Sequence, residues 1–78
     1  MKELVLYTKN NCANCRKAKR VLKINQVEYT EINVEDDENA LQKILDRAHS
    51  LMPVIEYDGV SYDYDHNKIL EICRIAQS

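Results

Sequence analysis

Residues 4–15 read LVLYTKNNCANC, an apolar run followed by two cysteines three positions apart. The run Leu4–Tyr7 is short and continuous, which is typical of a buried strand, and we predict a strand over Glu3–Thr8. A helix is predicted directly after it, over Ala13–Asn25, because apolar residues recur there at helical spacing while cations occupy the opposite face. The two cysteines therefore lie where a strand gives way to a helix.

Cys12 and Cys15 carry the functional prediction. A spacing of three brings both sulfurs to one side of the helix, close enough to form a disulfide. Cys12 lies beside the unpaired amide groups and the positive end of the helix dipole, and the nearby cations Lys9 and Arg16 or Lys17 add to this effect. We therefore predict that the pKa of the Cys12 thiol is lowered, whereas Cys15 lies further inside and stays protonated.

A thiolate at the first cysteine predicts a two-step exchange of disulfides. Cys12 attacks a substrate disulfide and forms a mixed disulfide, and Cys15 then attacks the Cys12 sulfur and releases the reduced substrate. The protein is left oxidised, so an external reductant has to reset it.

A soft-metal carrier is the alternative reading of the same motif, since small copper or zinc chaperones also hold their metal between two C-x-x-C thiolates. Those chaperones end in a strand, whereas this chain is predicted to end in a helix. We expect no metal site here, because the spacings of His49, His66 and Cys73 match no zinc pattern, and Cys73 falls on the apolar face of the last helix.

The rest of the chain predicts a single α/β domain over residues 1–78. Asp58-Gly59 between two apolar runs is a strong hairpin signal, so the strands around it should pair antiparallel. The chain begins with a strand, a helix and a strand, which implies that the first two strands pair in parallel. Together with the hairpin, this predicts one mixed four-stranded sheet covered by three helices, in the order βαβαββα. The remaining predicted elements are the strand Val27–Val34, the helix Asp36–Ala48, the strands Pro53–Tyr57 and Val60–Tyr62, and the helix Asn67–Ala76.

Composition and charge limit the classes of partner. A chain of 78 residues with 45% hydrophobic and 31% charged residues is an ordinary folded chain, and no apolar run approaches the ~20 residues of a membrane span. The N-terminus lacks the features of a signal peptide, so we expect a cytoplasmic protein with no membrane partner. We also expect a monomer.

The charges are unevenly distributed along the chain. Six cations and no acid lie between Lys9 and Lys23, and an acidic stretch follows from Glu28 to Glu38. The net charge of −2 and the lack of aromatic residues among those cations argue against nucleic-acid binding. The cationic face of the first helix is therefore either a solvated surface or a docking patch for an acidic partner.

The stretch from Leu6 to Cys15, together with Met52-Pro53-Val54-Ile55 before Asp58-Gly59, resembles the glutaredoxin family and especially its NrdH-type redoxin branch. The resemblance covers nearly the whole chain. It implies a thioredoxin-like fold of the minimal glutaredoxin type, with sheet order 2-1-3-4. It also implies a thiol–disulfide oxidoreductase in which Cys12 is the nucleophile and Cys15 the resolving thiol.

The resemblance further assigns a substrate-binding set. The base rate of proline alone favours a trans bond, whereas the family implies a cis Pro53 that lets the Met52 backbone pair with a substrate strand. Lys9 matches a family lysine that lowers the thiol pKa and meets a glutathione carboxylate. Asn11 belongs to the same loop, and Asp65 would hold the glutathione amine.

Two departures from the family pattern bear on the source of electrons. Glutaredoxins typically carry Pro-Tyr between the cysteines and a Gly-Gly after the hairpin, whereas this chain has Ala13-Asn14 and a glycine-free stretch over 61–66. The NrdH-type branch, which thioredoxin reductase reduces, is nearer in its aromatic segment at Tyr62–Asn67.

The expected partners follow from the same resemblance. One is a protein with a disulfide, such as a ribonucleotide reductase; the other is glutathione as co-substrate or thioredoxin reductase as reductant. No resident cofactor is expected, and a [2Fe–2S] cluster that borrows a glutathione thiol is a further alternative.

Overall fold

The computed structural model describes residues 3–47 and 52–76. Its elements follow the predicted order βαβαββα, although several boundaries differ from those expected. The Ala48 end predicted for the second helix lies outside the described residues. The elements are β1 (Leu4–Thr8), α1 (Ala13–Ile24), β2 (Thr30–Asn33), α2 (Glu38–Asp46), β3 (Val54–Tyr57), β4 (Val60–Tyr62) and α3 (His66–Ala76).

The four strands form one mixed sheet in the order β2-β1-β3-β4, as the resemblance implies. β1 runs parallel to β2, with Tyr7 opposite Ile32, and antiparallel to β3, with Tyr7 opposite Val54. The carboxyl end of β1 therefore shares one edge of the sheet with the amino end of β3. This edge brings the segment after Thr8 and the segment before Val54 together.

Two hydrophobic clusters cover the two faces of the sheet. Alternate side chains of a strand point to opposite faces, and all five residues of β1 are buried because both faces are covered. Leu4 and Leu6 belong to the cluster formed with α1 and α3, whereas Val5 and Tyr7 belong to the cluster formed with α2. The result is a three-layer arrangement with β1 at its centre.

The second strand begins three residues later than predicted, at Thr30 instead of Val27. The chain first turns back over the end of α1: Gln26 has a positive φ of 58°, and the Val27 N–H donates to the Leu22 carbonyl at 2.9 Å. Val27 and Tyr29 then pack against the cluster of α1 and α3 before the strand starts. In the sequence, Val27 and Tyr29 alternate out of phase with Thr30, Ile32 and Val34, and this turn of the chain explains the difference.

The second helix begins at Glu38, two residues later than predicted, because Asp37 caps it. The Asp37 backbone is extended, and its Oδ1 accepts a hydrogen bond from the Ala40 N–H at 3.1 Å. A carboxylate at this position satisfies a free amide group and complements the positive helix end. Among the described residues, no helix has the length and apolar character needed to cross a bilayer.

A polar cluster of Tyr7, Lys43, Arg47 and Glu56 connects α2 to the sheet. Lys43 donates to the Tyr7 hydroxyl at 3.1 Å, and Arg47 donates to Glu56 Oε2 at 2.8 Å. Hydrogen bonds to Tyr7 and Glu56 raise the pKa of Lys43. Burial alone would raise the pKa of Glu56, but hydrogen bonds from Lys43 and Arg47 outweigh it, and the net effect is a lowered pKa.

Glu56→Gln should destabilise the fold in a pH-dependent way. The Glu56 side chain is only 14% exposed, but both cations are 40% exposed, so we expect a loss of about 1 kcal/mol at neutral pH. Because folding lowers the pKa of Glu56, its contribution is present above the unfolded pKa of about 4.3 and is lost as the pH falls through the folded value. Urea titrations at pH 7 and pH 3 should give a difference between the two proteins that shrinks in acid.

Candidate dithiol site

Cys12 is the N-cap of α1 and forms a disulfide with Cys15, with a Cα–Cα distance of 5.2 Å. The Cys12 backbone is extended, and its Sγ accepts a hydrogen bond from the Cys15 N–H at 3.1 Å. The Cys12 carbonyl accepts from the Arg16 N–H at 3.2 Å, which starts the helix. The spacing of three thus places both sulfurs at the first turn, where an amide group points at the first of them.

As predicted, Cys15 is less exposed than Cys12, although both are largely enclosed. Cys12 is 8% exposed and Cys15 is 2% exposed. A partner disulfide can therefore contact only the small exposed part of Cys12. We expect Cys15 to react with the Cys12 sulfur and not directly with the partner.

Met52 lies against the first cysteine, on the sheet edge described above, and Pro53 follows it. The Met52–Pro53 peptide bond is cis, in agreement with the family resemblance and against the proline base rate. The Met52 carbonyl oxygen lies 3.9 Å from the Cys12 Sγ, and Pro53 is buried. The backbone of a segment distant in sequence thus borders the sulfur that a substrate would approach.

The loop before Cys12 is tied to the end of β2 by hydrogen bonds. Asn33 donates from its Nδ2 to the Asn10 Oδ1 at 2.9 Å, and the Asn10 N–H donates to the Glu35 carboxylate. Glu35 donates its own N–H to the Asn33 Oδ1 at 2.8 Å. Asn11 follows with a positive φ of 54°, a conformation that asparagine tolerates better than most residues, and its side chain is exposed. These bonds fix the path by which the chain enters α1.

Sequence reasoning missed Asn10, Asn33 and Glu35. A signal was available, because the carboxyl ends of adjacent parallel strands meet at one edge. The prediction of β1 and β2 as a parallel pair therefore places the residues that follow them close together. The local pattern alone marks none of the three.

Lys9 and Asp65, the other two predicted site residues, lie on different elements. Lys9 is exposed in the loop that leads to Cys12. Asp65 precedes α3 and caps it: its Oδ1 accepts from the Asn67 N–H at 2.9 Å, and its carbonyl accepts from the Ile69 N–H at 3.0 Å. The structure places Cys15 and the Met52 carbonyl in contact with Cys12, whereas Asp65 contacts the backbone of α3.

The third cysteine, Cys73, lies in the hydrophobic cluster of α1 and α3, as its helical phase predicts. Burial raises the pKa of its thiol, which keeps it protonated. Over 3–47 and 52–76, no group of three or more histidine, cysteine or acidic side chains is arranged to hold a metal ion.

Comparison with known proteins agrees with this geometry. Residues 4–62 match the glutaredoxin family model. The glutaredoxin-like protein NrdH of Lactococcus lactis subsp. cremoris is 27% identical over 59 residues, which cover 76% of this chain and 82% of that protein.

Two solved structures share the fold over nearly the full length of both chains. The NrdH-redoxin of Escherichia coli, a glutaredoxin-like protein described as having a thioredoxin-like activity profile, superposes with a TM-score of 0.84 at 21% identity, over 90% of this chain and 93% of that one. The thioredoxin-like protein BC3987 gives a TM-score of 0.79 at 28% identity, over 91% and 99%.

These findings support a general activity as well as a fold. The family match spans the strand, the dithiol, the segment around Pro53 and the hairpin, so it includes every part of the site except Asp65. A cysteine pair of the C-x-x-C type on this fold supports thiol–disulfide oxidoreductase activity. By its sequence, its sheet order and its dithiol, this chain belongs to the glutaredoxin family.

Proposed function

We propose that this protein reduces disulfides of other proteins, or mixed disulfides, with Cys12 as the nucleophile and Cys15 as the resolving thiol. The observation that carries the proposal is the Cys12–Cys15 disulfide at the start of α1, in which Cys12 is the more exposed partner and accepts an amide hydrogen bond. That amide and the helix dipole stabilise a negative sulfur once the disulfide is reduced. We therefore expect the pKa of the Cys12 thiol to lie below that of free cysteine.

The reaction consists of two thiolate–disulfide exchanges. The Cys12 thiolate attacks one sulfur of the substrate disulfide, and the other substrate sulfur leaves with the electron pair and takes up a proton. Cys15 then loses its proton and attacks the Cys12 Sγ, which expels the second substrate thiolate. Two electrons have passed to the substrate, and the protein holds the Cys12–Cys15 disulfide.

The backbone beside Cys12 suits the binding of an extended segment. The Met52 carbonyl lies next to the sulfur, so a substrate strand crossing this edge can form main-chain hydrogen bonds there. Lys9 and Asn11 would border the same segment from the loop before Cys12. A ribonucleotide reductase, whose turnover generates a disulfide, is a substrate of the proposed kind.

We further propose that a flavoprotein thioredoxin reductase, rather than glutathione, resets the dithiol. The glycine-free stretch over 61–66 and the use of Asp65 as a helix cap support this choice, because Asp65 was the residue expected to hold the glutathione amine. The thioredoxin-like activity profile described for the Escherichia coli relative is consistent with it.

Two coupled assays test this assignment. With insulin as substrate, NADPH and thioredoxin reductase should sustain turnover about tenfold faster or more than glutathione with glutathione reductase, measured by the loss of NADPH absorbance. Omission of the protein gives the background of each system. Faster recycling by the glutathione system would overturn the choice of reductant, and no turnover in either system would overturn the proposed function.

A further inference from the structure

The outward face of α1 carries a cationic concavity that begins at the residue after Cys12. Among the described residues, it is lined by Ala13, Arg16, Lys17 and Arg20, and its volume is about 400 Å³. Their spacing of three, four and seven positions places them on one face of the helix. We call this surface the α1 concavity.

The three cations of the α1 concavity are exposed and unpaired within the part of the chain that the structure describes. No carboxylate there lies within salt-bridge distance of Arg16, Lys17 or Arg20. Lys19 on the same helix behaves differently, because it pairs with Glu31 of β2 at 3.2 Å. The positive charge of the α1 concavity is therefore available to a partner.

The cations near the start of α1 lie at the helix end where positive charge is unfavourable. The first turn of α1 contains no acidic residue, and Arg16 and Lys17 follow directly, near the positive end of the helix dipole. Cations at that end destabilise a helix, whereas acids stabilise it, as Asp37 and Glu38 do at the start of α2. Sequences depart from such rules mainly at functional sites.

Acidic and basic side chains lie on different segments next to the dithiol. Asn10, two residues before Cys12, binds Glu35, the first of four consecutive exposed acids over 35–38. On the other side of Cys12, Arg16 starts the cationic row. The loop before Cys12 thus contacts an acidic stretch, whereas the helix after it carries the cationic row, and such a charge pattern can select the orientation of a partner.

We propose that the α1 concavity docks an acidic segment next to the disulfide of the partner protein, so that this dithiol acts preferentially on disulfides flanked by Asp and Glu. The inference rests on the proposed function and specifies its substrate class. A single-stranded nucleic acid fits less well, because α1 offers no aromatic side chain for base stacking.

Three synthetic peptides test the preference. They share one intramolecular disulfide and differ only in three flanking residues, which are all Glu, all Gln or all Lys. The fully reduced protein should reduce the Glu peptide with a kcat/KM about tenfold above that of the Gln peptide at low salt. Because the attraction is between exposed charges, the preference should fall towards unity at about 0.5 M salt.

Matched double variants locate the effect on the helix. Lys17→Gln with Arg20→Gln should reduce the Glu-to-Gln preference to about one, and Lys17→Glu with Arg20→Glu should shift it to the Lys peptide. Lys19→Gln with Lys23→Gln removes the same charge from α1 outside the concavity and should keep most of the preference. The ratio between two peptides cancels any change in the reactivity of Cys12, since both react with the same sulfur.

Each outcome decides between the two proposals. Equal reduction of the Glu and Gln peptides, or equal losses in the two double variants, would overturn the docking proposal while leaving the proposed function intact. Failure to reduce even the Gln peptide would overturn the proposed function. A single-stranded oligonucleotide that competes with the Glu peptide more strongly than an oligoglutamate of equal charge would assign the surface to phosphates and refute an acidic protein segment as its ligand.

Discussion

Cys12→Ser should lower the reduction of insulin or of a small mixed disulfide to the uncatalysed background. A serine hydroxyl has nearly the same size as the thiol, but it stays protonated at neutral pH and cannot form a disulfide. The amide group of Cys15 that faces the sulfur is left in place, so the fold around the site should survive. Insulin precipitation measured by turbidity, with circular dichroism as the check on folding, reports the loss.

Cys15→Ser should fail at a different step. Its Cys12 can still attack a substrate disulfide. Because residue 15 has no thiol to attack the Cys12 sulfur, the protein remains as a mixed disulfide with the substrate. With a small mixed disulfide as substrate, one thiol half leaves, so intact-mass spectrometry should show the added mass of the half that carries the attacked sulfur, and dithiothreitol should remove it. Turnover then depends on an external thiol.

Cys73→Ala is the control for these two variants. Cys73 lies in the core, 2% exposed, and its raised pKa keeps it unreactive, so the variant should retain activity in proportion to its folded fraction. Undiminished activity in Cys12→Ser, or a mixed disulfide trapped on Cys73, would contradict the assignment of roles.

Most of the fold was predictable because local patterns dictate it. The apolar run at β1, the helical spacing after Cys15 and the Asp58-Gly59 turn each act over a few residues, and together they predict the order of elements. The start of β2 was not predictable in this way. It depends on the backbone of Gln26, which turns the chain over the end of α1. The phase of Val27 and Tyr29 indicates an irregular start of the strand, but it does not indicate the residue at which the strand begins.

The site also has a part that local sequence patterns predict and a part that depends on contacts between distant residues. The dithiol is a local motif at a strand-to-helix junction, so its placement at the start of α1 followed from spacing. The contact of Met52 with Cys12 joins segments 40 residues apart, and the hydrogen bond between Asn33 and Asn10 joins segments 23 residues apart. Such contacts can be predicted only from the register of the sheet. For Pro53, the family resemblance predicted the cis isomer, whereas local reasoning favoured trans.

Leu6→Ala should cost about 3 to 5 kcal/mol of unfolding free energy, the largest loss of stability that we expect from one side chain. Leu6 has no exposed surface and lies at the centre of β1, in one cluster with Leu22 of α1 and Ile69 of α3. Truncation removes apolar contacts on three elements and leaves a cavity that rigid strands on both sides cannot close.

This loss is large for a chain of 78 residues, for which a total stability of roughly 4 to 12 kcal/mol is typical. Urea titrations should show a lower midpoint at an unchanged slope, since the surface exposed on unfolding stays nearly the same. Leu45→Ala makes the same chemical change on α2 at a side chain that is 57% exposed, and it should cost less than about 1 kcal/mol. Equal losses in the two variants would mean that β1 is not the packed centre of the fold, and the position of the dithiol at its carboxyl end would then need another explanation.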